Sequence, residues 1–386
     1  MSPVSRSEYV QAIVERYHTA GRKEKRRILD ECCRICGYHR EHAIRKLRQT
    51  TPRKQTRGKP GRRSRYTKPE ILAVLRSIWS TAHYPCSKRL KAILGVWITP
   101  YEQAFGVLPL WVKQALATIS PATIDRLLTH ERLRVKRKGL STTKPGTLLK
   151  QHIPIKTNQW DETRPGFLEA DTVAHCGDSM AGQFVFTVDL TDIATGWTEQ
   201  RAVWGKGERG VLEQIVSIEA SLPFPILGFD CDNGTEFLQW HLVRYFQDRS
   251  APVQFTRSRP YHKDDNAHIE QKNWTHVRQW LGYQRFEHPT LVELLNELYT
   301  SEWRFFHNFF LPSAKLQSKH RIRSKIIKLH DDPKTPYQRL LNSEHIPQRI
   351  KAQLTECYRT LNPFTLRKAI DHHIAHIRQL ARYHSF

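Results

Sequence analysis

The chain has 386 residues, 39% of them hydrophobic, with a formal net charge of +25 and a pI near 9.9. No apolar stretch approaches the roughly 20 residues of a membrane span, and 10 Trp with 10% aromatic residues do not fit a disordered polycation. So basic a balance predicts a polyanionic partner and is silent on fold, while the length suggests about two to four domains.

The start, Met1-Ser2-Pro3-Val4-Ser5-Arg6, lacks the apolar core of a signal peptide. The 7 Cys form no disulfide-like framework, which points to a reducing cytoplasm. Cys33, Cys36, His39 and His42 tempt a zinc reading, but zinc sites separate their ligand pairs by a loop and this spacing is too tight. Core or solvent-facing roles suit these residues better.

Residues 1–50 read as an all-helical unit with helices from Tyr9 to His18, Lys23 to Cys33 and His39 to Arg48. A helix, a Gly-containing turn and a basic last helix make the helix-turn-helix pattern, which would turn Arg40, Arg45 and Lys46 toward DNA. The plainer alternative is a three-helix scaffold with a solvated basic face. Residues 51–64 form a basic linker rich in Pro, Gly and Arg. Its Arg62 and Arg63 suit either a minor-groove arm or a spacer with general phosphate affinity.

Residues 65–140 read as a second helical DNA-binding unit. Helices are expected from Lys68 to Thr81, from Ser87 to Leu94, and after the Ser120-Pro121 cap. The basic run Arg132 to Lys138, which includes Arg137, closes the unit. Residues 141–159 are an extended connector. Residues 160–316 change character, with strand candidates Phe167 to Val173, Gln183 to Leu190, Trp197 to Val203, Ile226 to Asp232 and Val253 to Thr256. Interleaved helices give the order βββαβαβα, a mixed sheet flanked by helices. Residues 317–386 are expected to be a basic stretch followed by a helical hairpin that packs or oligomerises. Asp371, His372, His373 and His376 are best explained there as an exposed helix face.

Three acids stand out. Asp171 closes the run Phe167-Leu168-Glu169-Ala170. Asp232 closes another and precedes an Asn-Gly turn. Glu270 lies inside the helix opened by Asp265-Asn266-Ala267. Carboxylates from two strands and a helix can hold two hard cations through oxygen ligands, and such a pair serves phosphodiester chemistry. Without cations, converging carboxylates would repel and raise one another's pKa values. Glu169, Asp178, Asp189, Asp192, Asp230, Glu236, Asp264 and Asp265 are read as solvated or capping residues. Asp230 is the nearest rival, sharing a strand face with Asp232.

The motifs carrying these acids resemble a known family. Glu169-Ala170-Asp171-Thr172, Asp232-Asn233-Gly234-Thr235-Glu236-Phe237 and Asp265-Asn266-Ala267-His268-Ile269-Glu270 resemble the catalytic core of retroviral-type integrases and bacterial insertion-sequence transposases. The 37 residues between Asp232 and Glu270 match the family's usual spacing. Phe306 to Ser313 resembles the segment C-terminal to that core. The likeness is strong over residues 160–320 and holds for the N-terminal helices only in kind.

The resemblance implies an α/β ribonuclease H-like core, a mixed five-stranded sheet with flanking helices, carrying N-terminal helix-turn-helix units and a helical C-terminal tail. It makes Asp171, Asp232 and Glu270 the catalytic, metal-binding residues for two Mg²⁺ ions, with Mn²⁺ as a substitute. It implies a DNA transposase of a prokaryotic, nucleoid-associated kind. Such an enzyme binds element ends, frees 3′-hydroxyls and joins them to target DNA as a homodimer or larger assembly. Lys263, Lys272 and Arg278 are candidate DNA contacts. Trp274 and Val277 stand where retroviral integrases carry basic residues, which leaves the terminal-base contacts open. The rival readings are a nuclease of the same fold that cuts without joining, and a DNA-binding regulator with a silent core.

Overall fold

The computed structural model describes residues 1–48, 66–135, 162–231, 237, 240–257, 267–322 and 325–383. It divides into two compact units, Met1–Arg65 and Tyr66–Phe386.

The first unit is three helices, α1 (Pro3–Thr19), α2 (Arg22–Cys36) and α3 (Arg40–Arg48). The Ser2 hydroxyl accepts the Ser5 N–H and Pro3 opens α1, so two of the helix's first-turn demands are met at once. Gly37, at φ 65, ends α2 in the left-handed conformation that glycine adopts without strain. This helix runs three residues beyond the expected end, taking Cys36 into the core with Ile28, Leu29, Cys32, Ala43 and Leu47. Cys33 is half-buried.

The second unit begins with α4 (Pro69–Thr81), α5 (Ser87–Phe105), α6 (Leu110–Thr118), α7 (Pro121–Leu127) and α8 (Thr129–Arg134). Residues 65–140 were expected to stand apart. Instead Trp97, fully buried on α5, meets Phe306, Phe310 and Phe364 edge-on, and one apolar core joins these helices to the sheet. The helix from Ser87 continues past Leu94 to Phe105 with Pro100 inside it, and α6 is an element the sequence pattern does not announce.

The sheet comprises β1 (Phe167–Ala174), β2 (Val185–Asp192), β3 (Thr198–Trp204), β4 (Gly228–Cys231) and β5 (Gln254–Arg257) in the order β3-β2-β1-β4-β5. The first three strands are antiparallel neighbours, and β4 and β5 add in parallel through α9 (Glu208–Ser221) and α10 (Trp240–Gln247). These two helices cover one face: Arg201 of β3 reaches Ser217 and Ser221 of α9, and Phe246 of α10 packs on Phe229.

The other face lies under α11 (Ala267–Lys272), which runs on through π-helical Asn273–Arg278 into α12 (Gln279–Leu281). Next come α13 (Thr290–Leu298) and two more π-helical stretches, Tyr299–Trp303 and Phe306–Phe310. From this arm Asn296 bonds both the N–H and the C=O of Ala202, and Asn308 does the same at Thr198. Two side-chain amides thus occupy the open edge of β3, where a further strand would otherwise pair.

The region after 316 was expected to be a basic stretch and helices. It holds instead an antiparallel hairpin, β6 (Leu316–Ile322) and β7 (Lys325–His330), before α14 (Pro336–Asn342), α15 (Gln348–Thr360) and α16 (Pro363–Tyr383). The expected helical hairpin is present as α15 and α16. Phe364, Leu366, Ile370, Ile374 and Ile377 of α16 are buried in the common core, whereas Asp371, His372 and His376 are exposed. Among the described residues no helix is long and apolar enough to cross a membrane.

Candidate active site

Strand register sorts the acids. Side chains alternate faces along a strand, so residues opposite one another share a face. One row runs Gln200, Asp189, Asp171, and the next runs Thr198, Thr191, Glu169, Asp230, Thr256. The face beneath the α11 arm is therefore polar. Glu169, Asp189 and Asp230 are buried, contrary to the expectation that the extra acids are solvated. Asp192 is buried as well, although it does cap a turn, accepting from Gly166 N and Thr195 N. Asp178 is exposed as expected, while Glu236, Asp264 and Asp265 lie outside the described residues.

Burial pushes Asp189 up to about 8 and Lys272 down to about 7, and each shift is opposed by the other's charge. Gln200 Nε2 donates to Asp189 at 3.2 Å. Beyond Lys272, the His276 and His307 rings lie 4.2 Å apart, tilted by 33°, and burial favours the neutral form of both imidazoles.

Asp171 sits mid-strand on β1, the centre of the sheet, and is half-buried. Its Oδ1 accepts the Thr172 N–H at 2.7 Å and its Oδ2 accepts from Asn273 Nδ2 at 2.6 Å. Asn273 follows Glu270 by three positions, so the arm that carries Glu270 is tied directly to Asp171. A second tie lies one turn earlier, where the buried Glu169 carboxylate accepts the Ile269 N–H at 3.0 Å. A carboxylate near the first turn of a helix is favoured by the helix dipole. Glu270 itself belongs to α11, with its side chain outside the description.

Asp232 lies outside the described residues. The parallel register ends with Ala170 opposite Cys231, and the next residues along the sequence are Asp171 and Asp232. The Oδ1 of Asp230 takes the Thr256 hydroxyl and ties β4 to β5.

The donor set suits a hard divalent cation, being carboxylate oxygen with an amide oxygen nearby. Asn273 Oδ1 is buried and accepts no hydrogen bond, although its Nδ2 is engaged. A buried acceptor left bare costs about 1–3 kcal/mol. A cation or a hydrogen-bond donor beside Asp171 would satisfy it.

The candidate DNA contacts separate. Arg45 and Lys46 are exposed on α3, and Arg40 is exposed but paired with Asp30. Lys272 is turned inward, giving its Nζ to Gly196 O at 3.1 Å beside His276 Nε2 at 3.2 Å. The sheet face it covers is polar, so a basic side chain read as a DNA contact is drawn inward instead. Arg278 is likewise engaged, donating to Ala174 O at 2.6 Å. Arg62, Arg63, Arg137 and Lys263 lie outside the described residues.

Helical spacing puts Asn273 on the face of Glu270, but spacing does not give it its partner. Sequence reasoning missed Glu169 as the anchor of the arm, although position 169 is one alternation from Asp171 and so had to share its face.

The fold defines a mixed α/β protein whose five-stranded sheet presents an acidic row to a covering helix. No family model matches the chain. It is 37% identical over 347 residues to the uncharacterized protein y4rM of Sinorhizobium fredii (strain NBRC 101917 / NGR234), across 88% of this chain and 96% of that protein. The chain belongs to the y4rM family.

Proposed function

We propose that the chain is a DNA transposase of the DDE type on a ribonuclease H-like core, with Asp171, Asp232 and Glu270 as its catalytic, metal-binding residues. The observation that carries the reading is the tie between Asp171 on the central strand and Asn273 on the helix of Glu270. It fixes the first acid against the arm of the third. The sheet order β3-β2-β1-β4-β5, with β4 and β5 parallel to β1, agrees with that core. The basic helices α2 and α3 and the net charge of +25 suit a DNA partner.

Two Mg²⁺ ions, replaceable by Mn²⁺, would be held by the three carboxylates and would supply charge stabilisation at the reacting phosphodiester. Asn273 orients the Asp171 carboxylate, and Glu169 sets the start of the arm. Hydrolysis at an element end frees a 3′-hydroxyl, which attacks target DNA in line without a covalent enzyme intermediate or ATP. Joining two ends requires at least a dimer on DNA, in the nucleoid of a prokaryotic cytoplasm.

The test uses labelled element ends and target DNA with Mg²⁺ or EDTA. Wild type is expected to give metal-dependent cleavage and joined products, and Asp232→Asn to bind ends while joining none. Cleavage without joining would make the chain a nuclease. Binding with no metal-dependent chemistry would make it a regulator. Joining retained in Asp232→Asn would remove that residue from the site.

A further inference from the structure

Residues 316–330 contain 5 Lys or Arg, 2 His and no Asp or Glu. They fold as the hairpin β6–β7, whose strands pair with each other in a sheet of two. A lone two-stranded hairpin is marginal in water, and this one carries its described residues into solvent. Gln317, His320, Ile327, Lys328, Leu329 and His330 are all exposed, with Leu329 at 57%. The register pairs Lys319 with Lys328 and Arg321 with Ile326. Like charges at paired positions destabilise a strand pair. A polyanion along the ribbon reverses the sign of that interaction.

The base of the hairpin is fixed firmly. Lys315 and Asp331 exchange backbone and side-chain hydrogen bonds, and Arg339 Nη1 holds Asp331 Oδ2 at 2.6 Å. Lys315 Nζ donates to Ile193 O at 2.7 Å and Ala194 O at 2.8 Å, in the turn between β2 and β3. The same turn receives Lys272 through Gly196 O. One short turn therefore holds both the foot of the hairpin and the helix that carries Glu270.

We propose that β6–β7 is a duplex-DNA grip, a basic ribbon that lies in a groove and fixes the duplex relative to the acidic site. A two-stranded β-ribbon fits the major groove of B-DNA, and the charge of the segment is of one sign throughout. The inference rests on the reading that DNA is the partner and not on the chemistry performed there.

The experiment measures binding of the full chain to random-sequence duplex DNA in EDTA across a salt series, so catalysis plays no part. Each phosphate neutralised contributes about 0.9 to the slope of log affinity against log salt. The triple variant Lys319→Ala/Arg321→Ala/Lys328→Ala is expected to lower that slope by about two to three, and Lys328→Gln alone by about one. Lys328 is exposed, so the single variant keeps the test sound if the triple one folds poorly. An unchanged slope in Lys328→Gln and in a folded triple variant overturns the proposal. So does a change in oligomeric state with the slope intact, which would assign the ribbon to a protein contact. A reduced slope in a chain that shows no metal-dependent cleavage leaves the grip standing and removes the strand-transfer reading alone.

Discussion

Asn273→Ala isolates the contact on which the proposed site depends. The amide gives Asp171 Oδ2 a hydrogen bond at 2.6 Å, and hydrogen bonds to charged groups contribute about 1.5–3 kcal/mol. If that energy serves to orient the carboxylate, its loss slows strand cleavage by about ten- to hundredfold, since about 1.4 kcal/mol is a factor of ten. Fold stability should move much less. The variant loses one bond but also deletes the bare buried Oδ1, so the two contributions oppose one another.

The assay is single-turnover nicking of a labelled end at saturating protein, with duplex binding and the unfolding midpoint measured in parallel. Asn273→Asp adds a readout that mere packing would not move. A second carboxylate against Asp171 raises its pKa, so the acid limb of the activity profile should shift to higher pH. Wild-type nicking rates in Asn273→Ala, together with an unshifted profile in Asn273→Asp, would refute the idea that Asn273 positions Asp171.

Two further outcomes concern the scaffold. Arg304 donates twice to Glu199 Oε1, at 2.8 and 3.1 Å, and Glu199 is fully buried. Breaking a buried pair by removing one partner costs about 3–5 kcal/mol, and with Arg201 still 3.6 Å from Oε2 the loss for Arg304→Ala should fall near the lower end; urea denaturation showing no loss would contradict the pairing. Burial holds His307 at about 3 against an ordinary 6.5, so the fold favours the neutral ring, and that contribution is intact above about 6.5 and lost as pH falls toward 3. His307→Gln should therefore flatten the acid-side decline in unfolding free energy by about 1.4 kcal/mol per pH unit in that window, and parallel curves for wild type and variant would show that the ring titrates normally.

The strands were legible because β-rich apolar runs ending in acids leave few alternatives. Phe167, Phe186 and Phe229 all fall on strands where they were expected. Helical spacing alone sets Asn273 on the face of Glu270, three positions on. The features that escaped did so for physical causes. The α11 arm covers a face made of Glu169, Asp189, Thr191 and Gln200, so its inward residues include Lys272 and His276, and hydropathy periodicity assigns such residues to solvent. The continuation of α5 escaped because Gly95 and Pro100 read as stops, whereas packing of Trp97 carries the helix through. The β6–β7 hairpin escaped because its basic residues hide the alternation of Ile322, Ile327 and Leu329. The independence expected of residues 65–140 failed because one core extends from Leu75 to Ile370.

The acidic underside of the sheet also bears on how faithfully the chain assembles. If β1 slipped by one residue against its neighbours, Glu169 and Asp171 would be driven beneath α9 and α10, and Leu168 and Ala170 would meet the polar arm. Glu169 would then lose the Ile269 N–H and Asp171 the Asn273 amide in the same step, leaving carboxylates without those partners in the interior. A misaligned sheet is therefore not a near neighbour in energy but a state well removed from the native one. Residues that taken singly weaken the interior thus proofread the alignment of the strands.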